Sequence, residues 1–153
     1  MSIEREKSKK LRVLVDTNVL IKGMLDIHKQ NESEEKEIIN LLLTNKITPL
    51  VTATLLEEYM EVAKRMINKD FASKIRYLIV DVFKTAFISE EACEIFEPQF
   101  KGKIPDEDLL HFLTCIVGGA DYLVSENREF LAMAENKGFK CVTPNKFLKE
   151  IKS

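Results

Sequence analysis

Residues Leu11–Val15 form a short, nearly continuous apolar run that ends directly in Asp16-Thr17-Asn18. Such a run suits a parallel strand buried on both faces. The three residues after it are types that cap helices, so a helix is expected to start near Val19. This strand-to-helix turn is followed by others. Ile38–Leu43 lies in a second helical stretch, opened by the acidic segment Glu32–Glu37, which suits a helix N-terminus. Ile47–Thr52 reads as a strand, with Pro49 pushing it towards a sheet edge or an irregular ladder. Leu55, Tyr59, Val62 and Met66 recur at helical spacing within Thr54–Ile67. Phe71–Phe83 reads as helix and Thr85–Ser89 as a short strand. Residues 97–104, with Pro98 and Gly102, read as a loop. Asp106–Val117 reads as helix, with Pro105 at its start and Gly118-Gly119 at its end. Tyr122–Ser125 and Lys140–Thr143 read as strands, Arg128–Asn136 and Asn145–Ile151 as helices. Strands alternating with helices predict an α/β fold whose parallel sheet is covered on both faces.

Length and composition narrow the class. The 153 residues suit one domain, expected over 11–153 behind a tail of residues 1–10. Hydrophobic residues at 45% and charged residues at 31% fit a globular chain rather than a disordered one. No apolar stretch approaches the ~20 residues of a membrane helix, and MSIEREKSKK has no apolar segment of a secretory signal. The cysteines Cys93, Cys115 and Cys141 are dispersed and odd in number, which favours reduced thiols and a cytoplasmic location. The net charge of −2 does not advertise nucleic-acid binding. Lys64, Arg65 and Lys69 nevertheless cluster with Lys74 and Arg76, either to contact phosphates or as a solvated helix face.

Open parallel sheets place their sites at the carboxyl ends of strands. Asp16 stands at one such end and Ser125-Glu126-Asn127 at another. Asp106, Glu107 and Asp108 open the helix that feeds the second strand, and Glu57 and Glu58 lie on a helix that follows a strand. At ~100° per residue, Glu58 projects about 40° from Val62, while Glu57 points to solvent. By the same count Asp106 falls within the stripe of Leu109, Leu113, Ile116 and Val117, Asp108 lies about 40° from Phe112, and Glu107 points away. The inward set is Asp16, Glu58, Asp106 and Asp108. Carboxylates gathered in a partly buried site stay ionised only if a cation compensates them. Oxygen donors select Mg²⁺ or Mn²⁺, and His28 and His111 do not form a zinc-type spacing. Singly, each residue has a plainer role: Asp16 a helix cap, Asp106 and Asp108 complements to a helix dipole, Glu58 a charge on a wet margin. Their placement at one sheet edge favours the metal site.

The segment LRVLVDTNVLIKGM (residues 11–24) resembles the opening of PIN-domain proteins, a strand followed by Asp-Thr-Asn. LLEEYMEVAKR (55–65) resembles the second motif of that family, with its acidic position on Glu58. PDEDLLHFLTCIVGGADYLVSENREFL (105–131) resembles the third and fourth, with the acidic position on Asp108 and Asp106 as an accessory carboxylate. The resemblance implies a three-layer α/β/α sandwich around a parallel sheet. It implies Asp16, Glu58 and Asp108 as catalytic residues, a Mg²⁺ or Mn²⁺ cofactor, and RNA as substrate. It further implies an antitoxin protein as partner, since such domains often serve as the toxin of a toxin–antitoxin pair, and homodimer formation. Thr17, Asn18 and Ser125 would orient the carboxylates by hydrogen bonds. The chain departs from the family in LVSEN, where Asn127 stands at a position often held by Asp. Asparagine can ligate a metal through its carbonyl oxygen without adding charge, or cap the next helix. This departure leaves a second class open, a catalytically silent module that binds nucleic acid or protein.

Overall fold

The computed structural model describes residues 10–127 and 138–152. The expected helix Arg128–Asn136, and all but Lys10 of the expected tail, lie outside them. In chain order the elements are β1 (Leu11–Val15), α1 (Thr17–Lys29), α2 (Glu34–Leu43), β2 (Ile47–Val51), α3 (Ala53–Met66), α4 (Lys69–Tyr77), β3 (Ala86–Phe87), α5 (Glu90–Phe100), α6 (Asp106–Val117), β4 (Tyr122–Val124), β5 (Lys140–Val142) and α7 (Pro144–Lys152). All pairings are parallel, in the order β3-β2-β1-β4-β5. The strand order therefore reverses direction between β1 and β4, the point at which open α/β sheets form a crevice. Val13, Leu14 and Val15 are buried, as a central strand with helices over both faces requires. Helix α2 packs on α1 and α7, and α6 lies against β1 and β2 with α5 beside it. The result is the α/β fold with a central parallel sheet that the alternation predicts. None of the described helices is long and apolar enough to cross a membrane.

Three local expectations are narrowed or corrected. Of the two alternatives for Pro49 the irregular ladder holds and the edge does not, since β2 is internal to the sheet. Its neighbour β3 is only two residues long and meets β2 at Leu50 and Val51, so Pro49 faces no ladder on that side. Residues 97–100 are helical despite Pro98, because α5 runs to Phe100. The Phe100 ring packs edge-on against Phe112 with centroids 5.0 Å apart, which holds that last turn against α6. The expected helix over Phe71–Phe83 is α4 followed by a π-helical turn, Leu78–Val82, closed by the Phe83 amide donating to the Leu78 carbonyl at 2.7 Å. At the end of α6 the left-handed residue is Gly119, with φ of 63°. Gly118 is right-handed and serves close approach instead, since a Cβ there would stand 3.0 Å from Leu50 Cδ1.

The α1–α2 contact closes over Gly23. A methyl at that position would stand 2.5 Å from Ile39 Cγ1 and 2.6 Å from the Glu35 carbonyl oxygen. The same two helices are joined by Asp26, whose carboxylate accepts from Lys22 Nζ at 2.7 Å and from the Ser33 hydroxyl at 2.6 Å. Ser33 itself caps α2 by accepting from the Lys36 amide. The Lys22 and Ser33 hydrogen bonds hold the Asp26 carboxyl below its ordinary range.

Gly23→Ala should destabilise the fold by about 1–3 kcal/mol, because the backbone of α2 must move to admit the methyl; the midpoint of chemical denaturation checks it. Asp26 has a depressed folded pKa, so its contribution is present above the unfolded carboxylate value and is lost as pH falls through the folded one. Asp26→Asn should therefore lower stability at neutral pH and flatten the loss on acidification, read by denaturation series between neutral and acid pH.

Candidate metal centre

The register of β1 against β4 pairs Val15 with Val124. The next residues, Asp16 and Ser125, thus leave the sheet side by side. The Asp16 amide donates to the Val124 carbonyl at 3.0 Å and the Ser125 amide to the Val142 carbonyl at 2.9 Å, which continues the ladder to the edge of the crevice. The Ser125 hydroxyl donates to Asp16 Oδ2 at 2.7 Å. The other carboxylate oxygen, Oδ1, caps α1 by accepting from the Thr17 amide at 2.9 Å. Capping and orientation are thus the same contact.

Helix α3 brings Glu58. Tyr59 beside it is buried, and its hydroxyl donates to the Val15 carbonyl, tying α3 to the last residue of β1. Burial, with the charges of Asp16 and Glu58 nearby, holds the Tyr59 phenol well above its ordinary range, so it stays a neutral donor. Glu58 Oε2 accepts from the Thr17 hydroxyl and faces His111 Nε2 at 3.3 Å. The His111 hydrogen bond, followed by that from Thr17, holds the Glu58 carboxyl below its ordinary value against an opposing desolvation cost. His111 and Asp108 are buried and lie one turn apart on α6.

One donor atom from each of Asp16, Glu58 and His111 lies within 4.8 Å of the others, a spacing at which a single cation can touch all three. They line a cleft of about 440 Å³ together with Thr17, Asn18, Glu61, Val62, Arg65, Glu107, Asp108 and Asn127. Most of these donors are carboxylate or amide oxygens, the set preferred by Mg²⁺ and Mn²⁺. Cys141 lies on β5, paired with Leu123 of β4. Burial and the Asp16 charge push its thiol up to about 12, so it remains protonated.

A family model described as the PIN domain matches residues 12–129. The chain belongs to the PIN-domain family. Among curated proteins none matches this PIN domain. Among solved structures it is similar to the crystal structure of VapBC2 from Rickettsia felis bound to a DNA fragment from their promoter. That likeness has a TM-score of 0.57 at 17% identity, covers 86% of this chain and 97% of that one, and shows the shared fold.

The PIN fold brings Asp16, Glu58, Asp108 and Asn127 to one cleft, with Thr17 and Asn18 on its wall and Ser125 behind Asp16. It does not bring Asp106 there. Asp106 is exposed on the opposite side of the α6 N-terminus, beside Glu90, Glu94 and Glu97 of α5. Glu107 lines the cleft in its place. The reason is that α6 is covered on two sides. The stripe of Leu109 and Leu113 that carries Asp106 faces α5, whereas Glu107, Asp108 and His111 share the face towards the crevice. Of Lys64, Arg65 and Lys69, the candidates for phosphate contact, Arg65 lines the cleft, while Lys64 and Lys69 are exposed outside it. Glu58, Glu61, Val62 and Arg65 follow the i, i+3, i+4, i+7 spacing of one helix face. His111 is the residue that composition alone passes over. Its signal was the three-residue step from Asp108, which puts the two side chains on one helix face.

In the metal-free protein, Thr17→Val and His111→Ala should each raise the Glu58 carboxyl, His111→Ala the more. Carboxyl-carbon NMR titration reads the shift.

Proposed function

We propose that this PIN domain is a metal-dependent endoribonuclease of the cytoplasm, either the toxin of a toxin–antitoxin pair or an RNA-processing nuclease. The observation that carries the proposal is the convergence of Asp16, Glu58, Asp108 and His111 in one cleft at the strand-order reversal. Asp16, Glu58 and Asp108 would hold the cation, with Asn127 offering a neutral carbonyl at the rim. Mg²⁺ or Mn²⁺ bound there supplies a polarised water and compensates the charge of a phosphoryl group.

The chain's own residues prepare the site for that chemistry. Ser125 and the Thr17 amide fix both oxygens of Asp16, and the Thr17 hydroxyl fixes Glu58. A carboxylate oxygen has about two lone-pair sites, so each Asp16 oxygen, with one such bond, keeps capacity for a ligand. Their orientation is set before any substrate arrives. Among the described residues, the cleft is lined by Asp16, Glu58, Glu61, Glu107 and Asp108 against the guanidinium of Arg65. An anionic backbone is repelled from such a wall until a cation is bound, so metal binding and RNA binding are coupled. Arg65 then offers a fork of donors to a phosphate on the approaching strand. The likeness to VapBC2 supports an antitoxin protein as partner on the toxin branch.

Asp16→Asn should lower metal-dependent RNA cleavage at least about 100-fold with an unchanged circular dichroism spectrum; full activity in that variant sinks the assignment. Asn127 motivates the second reading, a catalytically silent binding module, because it is a neutral residue on the cleft wall. Calorimetric titration with Mn²⁺ separates the two readings: saturable binding supports the nuclease, and its absence at millimolar metal supports the silent module. Asn127→Asp should strengthen metal binding and raise turnover; no change in either removes Asn127 as the limiting residue.

A further inference from the structure

We propose that His111 supplies a nitrogen donor to the metal held by Asp16 and Glu58, and that this donor shifts the preference of the cleft from Mg²⁺ towards transition dications such as Mn²⁺. The proposal rests on the metal-site reading above and specifies its chemistry.

The geometry points this way in three respects. First, His111 reaches the cleft from a buried position on α6, one turn from Asp108, so its ring is held by the fold rather than by solvent. Second, its Nε2 and Glu58 Oε2 stand 3.3 Å apart. A charge-assisted hydrogen bond draws its atoms to about 2.7–2.9 Å. Two ligands at right angles on one ion, each about 2.1 Å from it, lie about 3.0 Å apart. The observed separation is long for a charge-assisted bond and close to what two ligands of one cation adopt, so a metal can take the place of the proton that Nε2 shares with Glu58 in the metal-free protein. Third, Asp16 completes a set in which one donor atom of each residue lies within 4.8 Å of the others, wide enough for ligands on opposite sides of the same ion, about 4.2 Å apart.

The consequence for selectivity follows from donor chemistry. Mg²⁺ takes oxygen almost exclusively and parts reluctantly with its waters. Imidazole is a neutral, borderline donor that adds affinity for first-row transition dications and little for Mg²⁺. With a neutral Asn127 at the rim, the site gains a ligand through His111 without gaining charge, which favours ions that bind by donor type over ions that bind by charge alone.

The test is pulsed electron paramagnetic resonance of the full chain loaded with Mn²⁺, alongside calorimetric titration with Mn²⁺ and Mg²⁺ separately. Bound Mn²⁺ should show modulation from an imidazole ¹⁴N. His28→Ala should keep that signal and His111→Ala should abolish it. Loss of even an outer partner of a ligand costs about 10–100-fold in metal affinity, so His111→Ala should weaken Mn²⁺ at least about tenfold and Mg²⁺ by much less. Mn²⁺ that binds saturably without nitrogen modulation in the unaltered chain overturns the inference and leaves the carboxylate metal site standing. Equal weakening of both metals by His111→Ala also overturns it, assigning His111 to the positioning of Glu58. Absence of saturable Mn²⁺ binding overturns this inference and the nuclease reading together. The spectrum of the unaltered chain and of His28→Ala decides the matter even if His111→Ala fails to fold.

Discussion

The parallel pairing of β1 with β4 fixes where Asp16 and Ser125 leave the sheet, and the cleft is assembled around those two exits. Several contacts hold the register. Arg12 donates its amide to Asp121 at 2.8 Å and its side-chain Nε to the Gly118 carbonyl at 2.7 Å, pinning the start of β1 to the turn before β4. Tyr59 fastens the other end through the Val15 carbonyl. Between them Val13, Leu14 and Val15 are buried, so a slip of one residue would drive the flanking charges of Arg12 or Asp16 into an apolar interior. Apolar burial therefore specifies the register, and the register places the carboxylate. Stability and site geometry rest here on the same residues.

A cluster of acids is held together at a cost, and the polar groups around it show how that cost is reduced. Each donor near Asp16 and Glu58 is set by backbone or by a buried side chain: the Thr17 amide at the start of α1, the Ser125 hydroxyl after β4, and His111 on α6. Three separate elements therefore converge on two carboxylates. Such a network favours the ionised form of Glu58, and it also removes the rotational freedom that a metal or a substrate would otherwise have to quench.

Parts of this arrangement were legible in the amino-acid order and parts were not. The strand Leu11–Val15 and the turn after it could be read because a strand buried on both faces leaves an unbroken apolar run. Glu58 could be separated from Glu57 because α3 carries one apolar stripe, and the half-buried glutamate lies on its margin while its neighbour is exposed. Helix α6 defeated the same count. It is apolar towards α5 and towards the sheet, so the dominant stripe marks the wrong face, and Asp106 was grouped with Asp108. His111 escaped because zinc-like spacing relates histidines to one another along the chain, whereas its neighbours in the cleft come from β1 and α3. Pro98 misled, and Pro49 left two alternatives open, for a related reason. The length of β3 and the packing of Phe100 on Phe112 decide what each proline disrupts, and neither is written locally.

The brevity of the outer strands has a consequence for how this molecule meets others. Among the described residues the sheet ends in β3, two residues long, and in β5, three residues long. An edge so short offers few unpaired amides and carbonyls to a visiting strand, which makes it a poor template for β-augmentation or for fibrous aggregation. Recognition is thereby left to side chains, on the helices and around the acidic crevice. A rigid parallel sheet can then carry a charged opening at one end without inviting other chains to add to its sides.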